Sequence, residues 1–151
     1  MSCYVHTNLV ARDARTLIDF YRDAFGCESV GETRDLSGDW LDRLTGIPGA
    51  HIVGEHLAQP GTGGKVTLEI FQYAGDPPES PRRLNAPGFG HIAFAVDDVA
   101  GTLAEVIARG GGQVGELVSV DYADGRRLTV VYATDPEGNV VELQSWGGGA
   151  R

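Results

Sequence analysis

The sequence predicts an α+β fold built from two copies of a strand-helix-strand-strand-strand (βαβββ) module. Three observations carry this. Short segments with period-two alternation outnumber the helical patterns, the pattern repeats itself, and a proline-rich stretch divides the copies. The repeat is numerical. His6 and His91 stand 91 − 6 = 85 apart, and so do the proposed helix N-caps Asp13 and Asp98, 98 − 13 = 85. Val66-Thr67-Leu68-Glu69-Ile70 likewise resembles Asn139-Val140-Val141-Glu142-Leu143, each after a glycine-bearing turn. The expected organisation is a first module over 1–74, a linker over 75–87, a second module over 88–146 and a flexible tail over 147–151, together one domain.

In the first module, His6 to Val10 reads as a strand with His6, Asn8 and Val10 on one face. Asp13 caps a helix whose inward face carries Leu17, Phe20, Tyr21 and Phe25, and Gly26 stops it. An extended segment begins at Glu28. Trp40, Leu41 and Leu44 form a short amphipathic turn or helix closed by Gly46-Ile47-Pro48-Gly49. Trp40 with the Ile47-Pro48 loop reads as a small satellite core; its functional reading is a lid or substrate wall. Ala50 to Ala58 and Lys65 to Tyr73 read as strands around the turn Pro60-Gly61-Thr62-Gly63-Gly64. Thr67, Glu69, Phe71 and Tyr73 share a face, so Phe71 and Tyr73 line or fill whatever Glu69 borders.

Prolines 77, 78, 81 and 87 mark the linker, since proline cannot donate to a sheet ladder. The stretch Gly88 to Asp98 then reads as a strand. It puts His91, Ala93 and Ala95 on one face and Ile92, Phe94 and Val96 on the other. The large residues suit packing under helices. The small ones leave space beside a histidine. Asp98 caps a helix to about Arg109, with Val99, Leu103, Val106 and Ile107 inward, ended by Gly110-Gly111-Gly112. Glu116 to Val120, Arg127 to Ala133 and Val140 to Trp146 complete the module, with turns at Ala123-Asp124-Gly125 and Asp135 to Asn139. Glu142 and Gln144 share a face of the last strand.

The net charge of −9 argues against nucleic-acid binding and against adhesion to an anionic membrane. No apolar run approaches the roughly 20 residues that span a bilayer. Met1 to His6 lacks the basic and apolar regions of a secretory signal, and Cys3 and Cys27 have no metal-type spacing, so free thiols in the cytoplasm are expected.

Each half thus contributes one histidine at the start of its first strand and one glutamate within its last. A pseudo-twofold axis would gather His6, Glu69, His91 and Glu142 on one concave sheet face. Two imidazoles and two carboxylates suit a borderline divalent ion such as Zn²⁺, Ni²⁺, Co²⁺, Mn²⁺ or Fe²⁺. Either carboxylate could then act as a base. His51 and His56 have no repeat partner and are assigned to the surface.

These segments resemble the vicinal oxygen chelate superfamily, which includes glyoxalase I, methylmalonyl-CoA epimerase, extradiol dioxygenases, and bleomycin and fosfomycin resistance proteins. The resemblance rests on the His6 strand with its Asp13 to Gly26 helix, on Leu68-Glu69-Ile70, on Gly90 to Asp98 and on Asp135 to Leu143. It implies an incomplete barrel of paired βαβββ modules, a metal on His6, Glu69, His91 and Glu142, and a homodimer acting on a small molecule. It further implies lyase or isomerase chemistry, in which Glu69 or Glu142 moves a proton next to a carbonyl of a substrate chelated through vicinal oxygens. Asn8, Trp40, Phe71, Tyr73, Ala93 and Gln144 are the candidate substrate-binding residues. Arg15, Arg43 and Arg126 are the basic residues that could hold an anionic group. An epimerase-like racemase, a non-catalytic drug- or natural-product-binding protein and an extradiol dioxygenase stay open beside the glyoxalase-type reading.

Overall fold

Both modules begin with a strand, a capped helix and a register break at matching places. A computed structural model describes residues 3–75, 84, 85 and 87–148. The chain divides into two units, Met1–Glu79 and Ser80–Arg151. The first holds β1 (His6–Val10), α1 (Ala14–Phe25), β2 (Glu28–Ser37), α2 (Asp39–Thr45), β3 (His51–Ala58) and β4 (Thr67–Tyr73). The second holds β5 (Ile92–Ala95), α3 (Val99–Ala108), β6 (Gly112–Asp121), β7 (Arg126–Thr134) and β8 (Val140–Gly148). Each unit forms one open four-stranded mixed sheet, ordered β1-β4-β3-β2 and β5-β8-β7-β6. In each, the first strand runs parallel to the last and the other pairs are antiparallel. The α+β class and the βαβββ repeat are therefore present as predicted.

The repeat extends to irregularities. The β2–β3 ladder breaks between Val30 and Arg34, and the β6–β7 ladder between Val114 and Val118. Gly31 (φ 74°) and Gly115 (φ 67°) sit inside those breaks, 115 − 31 = 84 apart. A left-handed residue lets one strand bulge without a Cβ penalty, which bends the sheet at the same place in both modules.

The helices form where the caps say they should. Asp13 accepts from the Thr16 N–H at 3.1 Å, and Asp98 from the Gly101 N–H at 3.0 Å. The Thr16 hydroxyl and N–H both bind the Asp13 carboxylate and hold its pKa below the usual value. Gly26 closes α1 in the left-handed region. Under α1 lie Leu17, Ile18, Phe20 and Tyr21, buried with Leu57, Leu68 and Ile70 of the sheet. Under α3 lie Val99, Leu103 and Val106, with Val131, Ala133, Val141 and Leu143 buried in the sheet below. Fully burying one such side chain contributes roughly 1.5–3 kcal/mol, so these two layers fix which sheet face is left for chemistry.

Several boundaries differ from expectation. The strand expected over Gly88 to Asp98 is only β5; Phe89 before it is fully exposed between glycines. Ile107 is exposed, because Val99, Leu103 and Val106 complete the inward stripe and Ile107 falls past its edge in the last turn. α3 is capped by Arg109, with the left-handed Gly110 one residue later. Trp40 and Ile47 are half-exposed and do not build the satellite core. That core is Leu41, Ala50 and Ile52, against which Leu36, Phe71 and Tyr73 pack. At the C-terminal end, β8 runs two residues past Trp146, pairing Gly147 with Arg127 and Gly148 with Arg126, where a tail was expected. Residues 149–151 of that tail and prolines 77, 78 and 81 of the linker lie outside the described residues. Among the described residues no helix is long and apolar enough to cross a membrane.

Candidate functional site

The face of each sheet turned away from its helix carries a histidine–glutamate pair. In the first module Asn8 faces Glu69 across the parallel β1–β4 ladder. His6, two residues earlier on the same face, reaches Glu69 diagonally, Nε2 to Oε2 at 3.2 Å. In the second module Ala93 faces Glu142 across β5–β8, and His91 reaches Glu142 the same way, Nε2 to Oε2 at 3.2 Å. Two halves separated by 85 positions at the histidine thus rebuild one geometry. Both glutamates are mostly covered (13% and 16% exposed), whereas His6 and His91 are 41% and 33% exposed. Each pair is therefore accessible from solvent at its imidazole.

The strand on the other side of each glutamate distinguishes the modules. His56 of β3 faces Glu69 in register and its Nε2 lies 3.0 Å from Oε1. Its Nδ1 lies 3.3 Å from the Thr67 hydroxyl. The ring meets Phe71 and His6 edge-on, at centroid distances of 5.7 and 6.1 Å. The expectation that His56 is a surface residue is thus corrected: the antiparallel β3–β4 register carries it onto the glutamate. His51 is exposed and pairs with Asp35 at 2.7 Å, as a surface histidine does. Opposite Glu142 the equivalent position is Tyr132, whose ring lies 5.1 Å from that of His91.

Among the expected substrate-binding residues, Asn8 points its Nδ2 at Glu69 Oε2, at 3.4 Å. Ala93 is exposed beside Glu142. Gln144 Oε1 accepts from the Trp146 indole N–H at 2.7 Å. Phe71 and Tyr73 belong to the satellite core, although Phe71 also touches His56. Trp40 is half-exposed. The three candidate anion-holding arginines each have an acidic neighbour in the same local segment. Arg15 pairs with Asp19, Arg43 with Asp39, and Arg126 with Asp124. Arg126 also stacks on Trp146, 4.8 Å from the ring centroid. Trp146 and Tyr132 are the site-face residues that sequence reasoning did not single out, and His56 is the one it assigned to the surface.

The donor chemistry fits a divalent ion. Adjacent ligands bound at about 2.1 Å stand roughly 3.0–3.4 Å apart, and the imidazole–carboxylate separation in each pair falls in that range. Imidazole and carboxylate together suit Zn²⁺ and its first-row neighbours. Among the described residues no three His, Cys, Asp or Glu side chains converge as a cage. In the first module Glu69 lies between two imidazoles, one oxygen to each.

Comparison with known proteins agrees with this architecture. The family model for the Glyoxalase/Bleomycin resistance protein/Dioxygenase superfamily matches residues 4–143. The uncharacterised protein YaeR of Escherichia coli strain K12 is 27% identical over 91% of this chain and 92% of its own. Lactoylglutathione lyase of Schizosaccharomyces pombe is 22% identical over 93% of this chain, which spans 46% of that enzyme. A glyoxalase family protein from Bacillus cereus superposes with a TM-score of 0.73 at 23% identity, covering 95% of this chain and 91% of the other. With matching elements, a duplicated site geometry and a family match across nearly its whole length, this chain belongs to the Glyoxalase/Bleomycin resistance protein/Dioxygenase superfamily.

Proposed function

We propose that the protein is a metal-dependent lyase or isomerase of the glyoxalase type, which moves a proton next to a carbonyl of a small substrate bearing two adjacent oxygens. The observation that carries this reading is the duplicated His–Glu pair, with Nε2 and Oε2 3.2 Å apart in both modules. His6 with Glu69, and His91 with Glu142, would each supply two donors to a divalent ion. When bound, such an ion supplies Lewis-acid polarisation of the carbonyl and favours the negative charge that develops as the proton leaves.

The chain's own residues supply the proton transfer. A carboxylate within reach of a carbon acid takes the proton and returns it, to the neighbouring carbon in a lyase or isomerase or to the same carbon in an epimerase. Glu142 has the surroundings for this. The residue facing it is exposed Ala93, which leaves room for a substrate carbon. The resemblance to lactoylglutathione lyase supports a hemithioacetal as the first substrate to try. The reading carries with it a cytoplasmic homodimer.

The test is a purified protein dialysed against Zn²⁺, Ni²⁺, Co²⁺, Mn²⁺ or Fe²⁺ and analysed for metal. It is then assayed with glutathione hemithioacetals, methylmalonyl-CoA and catechols. Uptake of a divalent ion, with turnover of a hemithioacetal or a thioester, is expected. Glu142→Gln should abolish most of that turnover. Failure to take up any divalent ion would overturn the reading in favour of a binding protein, and oxygen uptake with a catechol would replace it with a dioxygenase.

A further inference from the structure

We infer that His56 is a positioning residue that holds Glu69 as a one-oxygen metal ligand; the inference rests on the metal site proposed above. Glu69 is gripped from three sides. Oε2 faces His6 Nε2 at 3.2 Å and Asn8 Nδ2 at 3.4 Å, while Oε1 faces His56 Nε2 at 3.0 Å. An ionised carboxylate can only accept, so His56 Nε2 at 3.0 Å donates to Oε1, and its Nδ1 lies 3.3 Å from the Thr67 hydroxyl on the other side. Oε1 is therefore engaged by His56, and Oε2 carries only the longer contact from Asn8 Nδ2 beside His6. Oε2 is the one turned toward His6, the neighbouring ligand.

Position in the sheet explains why this works. Glu69 is on β4, between β1 and β3. β1 brings the ligand side and β3 the supporting side. His56 is only 20% exposed and is braced edge-on by Phe71, so its ring is not free to swing to the metal side. A carboxylate hydrogen-bonded behind its ligating oxygen keeps its plane fixed before the metal arrives, which lowers the cost of ordering it on binding. The second module has no imidazole there. Tyr132 faces Glu142 and lies against His91. The support is thus a property of one half of the repeat.

The experiment is Co²⁺ binding to wild type, His56→Ala, His56→Gln and Thr67→Val, read as the dissociation constant and the visible spectrum of the bound ion. His56→Ala should weaken Co²⁺ by about 10–100-fold with the spectrum little changed, the size seen when a partner of a ligand is removed. His56→Gln places an amide N–H near the former Nε2 and should restore most of the affinity. Thr67→Val should show a smaller loss in the same direction. Wild-type affinity in His56→Ala would overturn the inference. So would a His56→Gln variant as weak as His56→Ala with an altered spectrum, since His56 would then be a ligand itself. If wild type binds no Co²⁺, the metal site fails, and that is seen before any variant is compared.

Discussion

The turn that launches β8 gives the sharpest stability prediction, because a buried carboxylate organises it. Asp135 is 1% exposed. Its Oδ1 accepts from the N–H groups of Glu137 and Asn139, both at 2.9 Å, and its Oδ2 accepts from Asn139 Nδ2 at 2.5 Å. Replacing Asp135 by Ala strands the Asn139 N–H and side-chain amide in a buried setting. Each unsatisfied buried donor costs about 1–3 kcal/mol, so Asp135→Ala should lose about 3–5 kcal/mol in all. At the usual urea dependence of a small domain, that is a midpoint lower by roughly 2 M. Asp135→Asn should be milder by about 1–2 kcal/mol, since it retains one acceptor oxygen. Asn139 Oδ1, unpaired among the described residues, is also at hand to receive the new amide N–H. Equilibrium urea unfolding of the three proteins measures this. Asp135→Ala within 0.5 kcal/mol of wild type, the range of a neutral surface change, would refute the reasoning.

Two further predictions come from tight or buried positions. A Cβ at Gly54 would lie 2.0 Å from the Ile70 carbonyl oxygen and 2.8 Å from the Phe71 ring, so Gly54→Ala must push β3 from β4; a loss of about 1–3 kcal/mol is expected, read as a lower urea midpoint, and an unchanged midpoint would show the strands adapt freely. Burial pushes the Cys27 thiol up to about 11 from 9.0. A thiol-specific disulfide reagent at pH 8 should therefore modify exposed Cys3 promptly and Cys27 only on unfolding. Because burial disfavours the thiolate, the unfolded chain ionises first, and stability should fall as pH climbs from about 9 to about 11; rapid labelling of both thiols in the native protein would contradict the burial.

Much of this architecture is legible in the sequence for identifiable reasons. Asp13, Asp98 and Gly26 are local devices, and local devices work wherever they stand. The period-two faces hold because a strand has no other way to point its side chains, so Leu68, Ile70, Val141 and Leu143 are buried and Glu69 and Glu142 are not under the helices. The misses are of another kind. Trp40 with the Ile47-Pro48 loop reads as a satellite core in the sequence, whereas Leu41, one residue on, is what packs with Ala50 and Ile52. His56 was dismissed because no histidine repeats it. Its partner is set by hairpin register rather than by repetition. Residues equidistant from Thr62–Gly63, the middle of the expected turn, face each other across β3 and β4, and that places His56 on Glu69. Folding the second hairpin about Glu137 places Tyr132 on Glu142 by the same rule.

That rule shows what duplication has preserved and what it has released. The histidine-to-glutamate diagonal is the same length in both halves, while the residues flanking each glutamate have diverged. In the first module Asn8 and His56 close on Glu69 from both neighbouring strands. In the second, those positions are Ala93, which has no polar atom on its side chain, and Tyr132, which lies on His91. Two carboxylates equally tied could hold an ion but would have no freedom to take a proton; two equally loose could take one but would hold the ion weakly. On the function proposed above, dividing the tasks would resolve the conflict: Glu69, tied on both sides, would serve as the anchor, and Glu142, faced by Ala93, would be left to take the proton. The small exposed residues on the β5 face, conspicuous in the sequence as Ala93 and Ala95, would on that reading mark the side from which a substrate approaches.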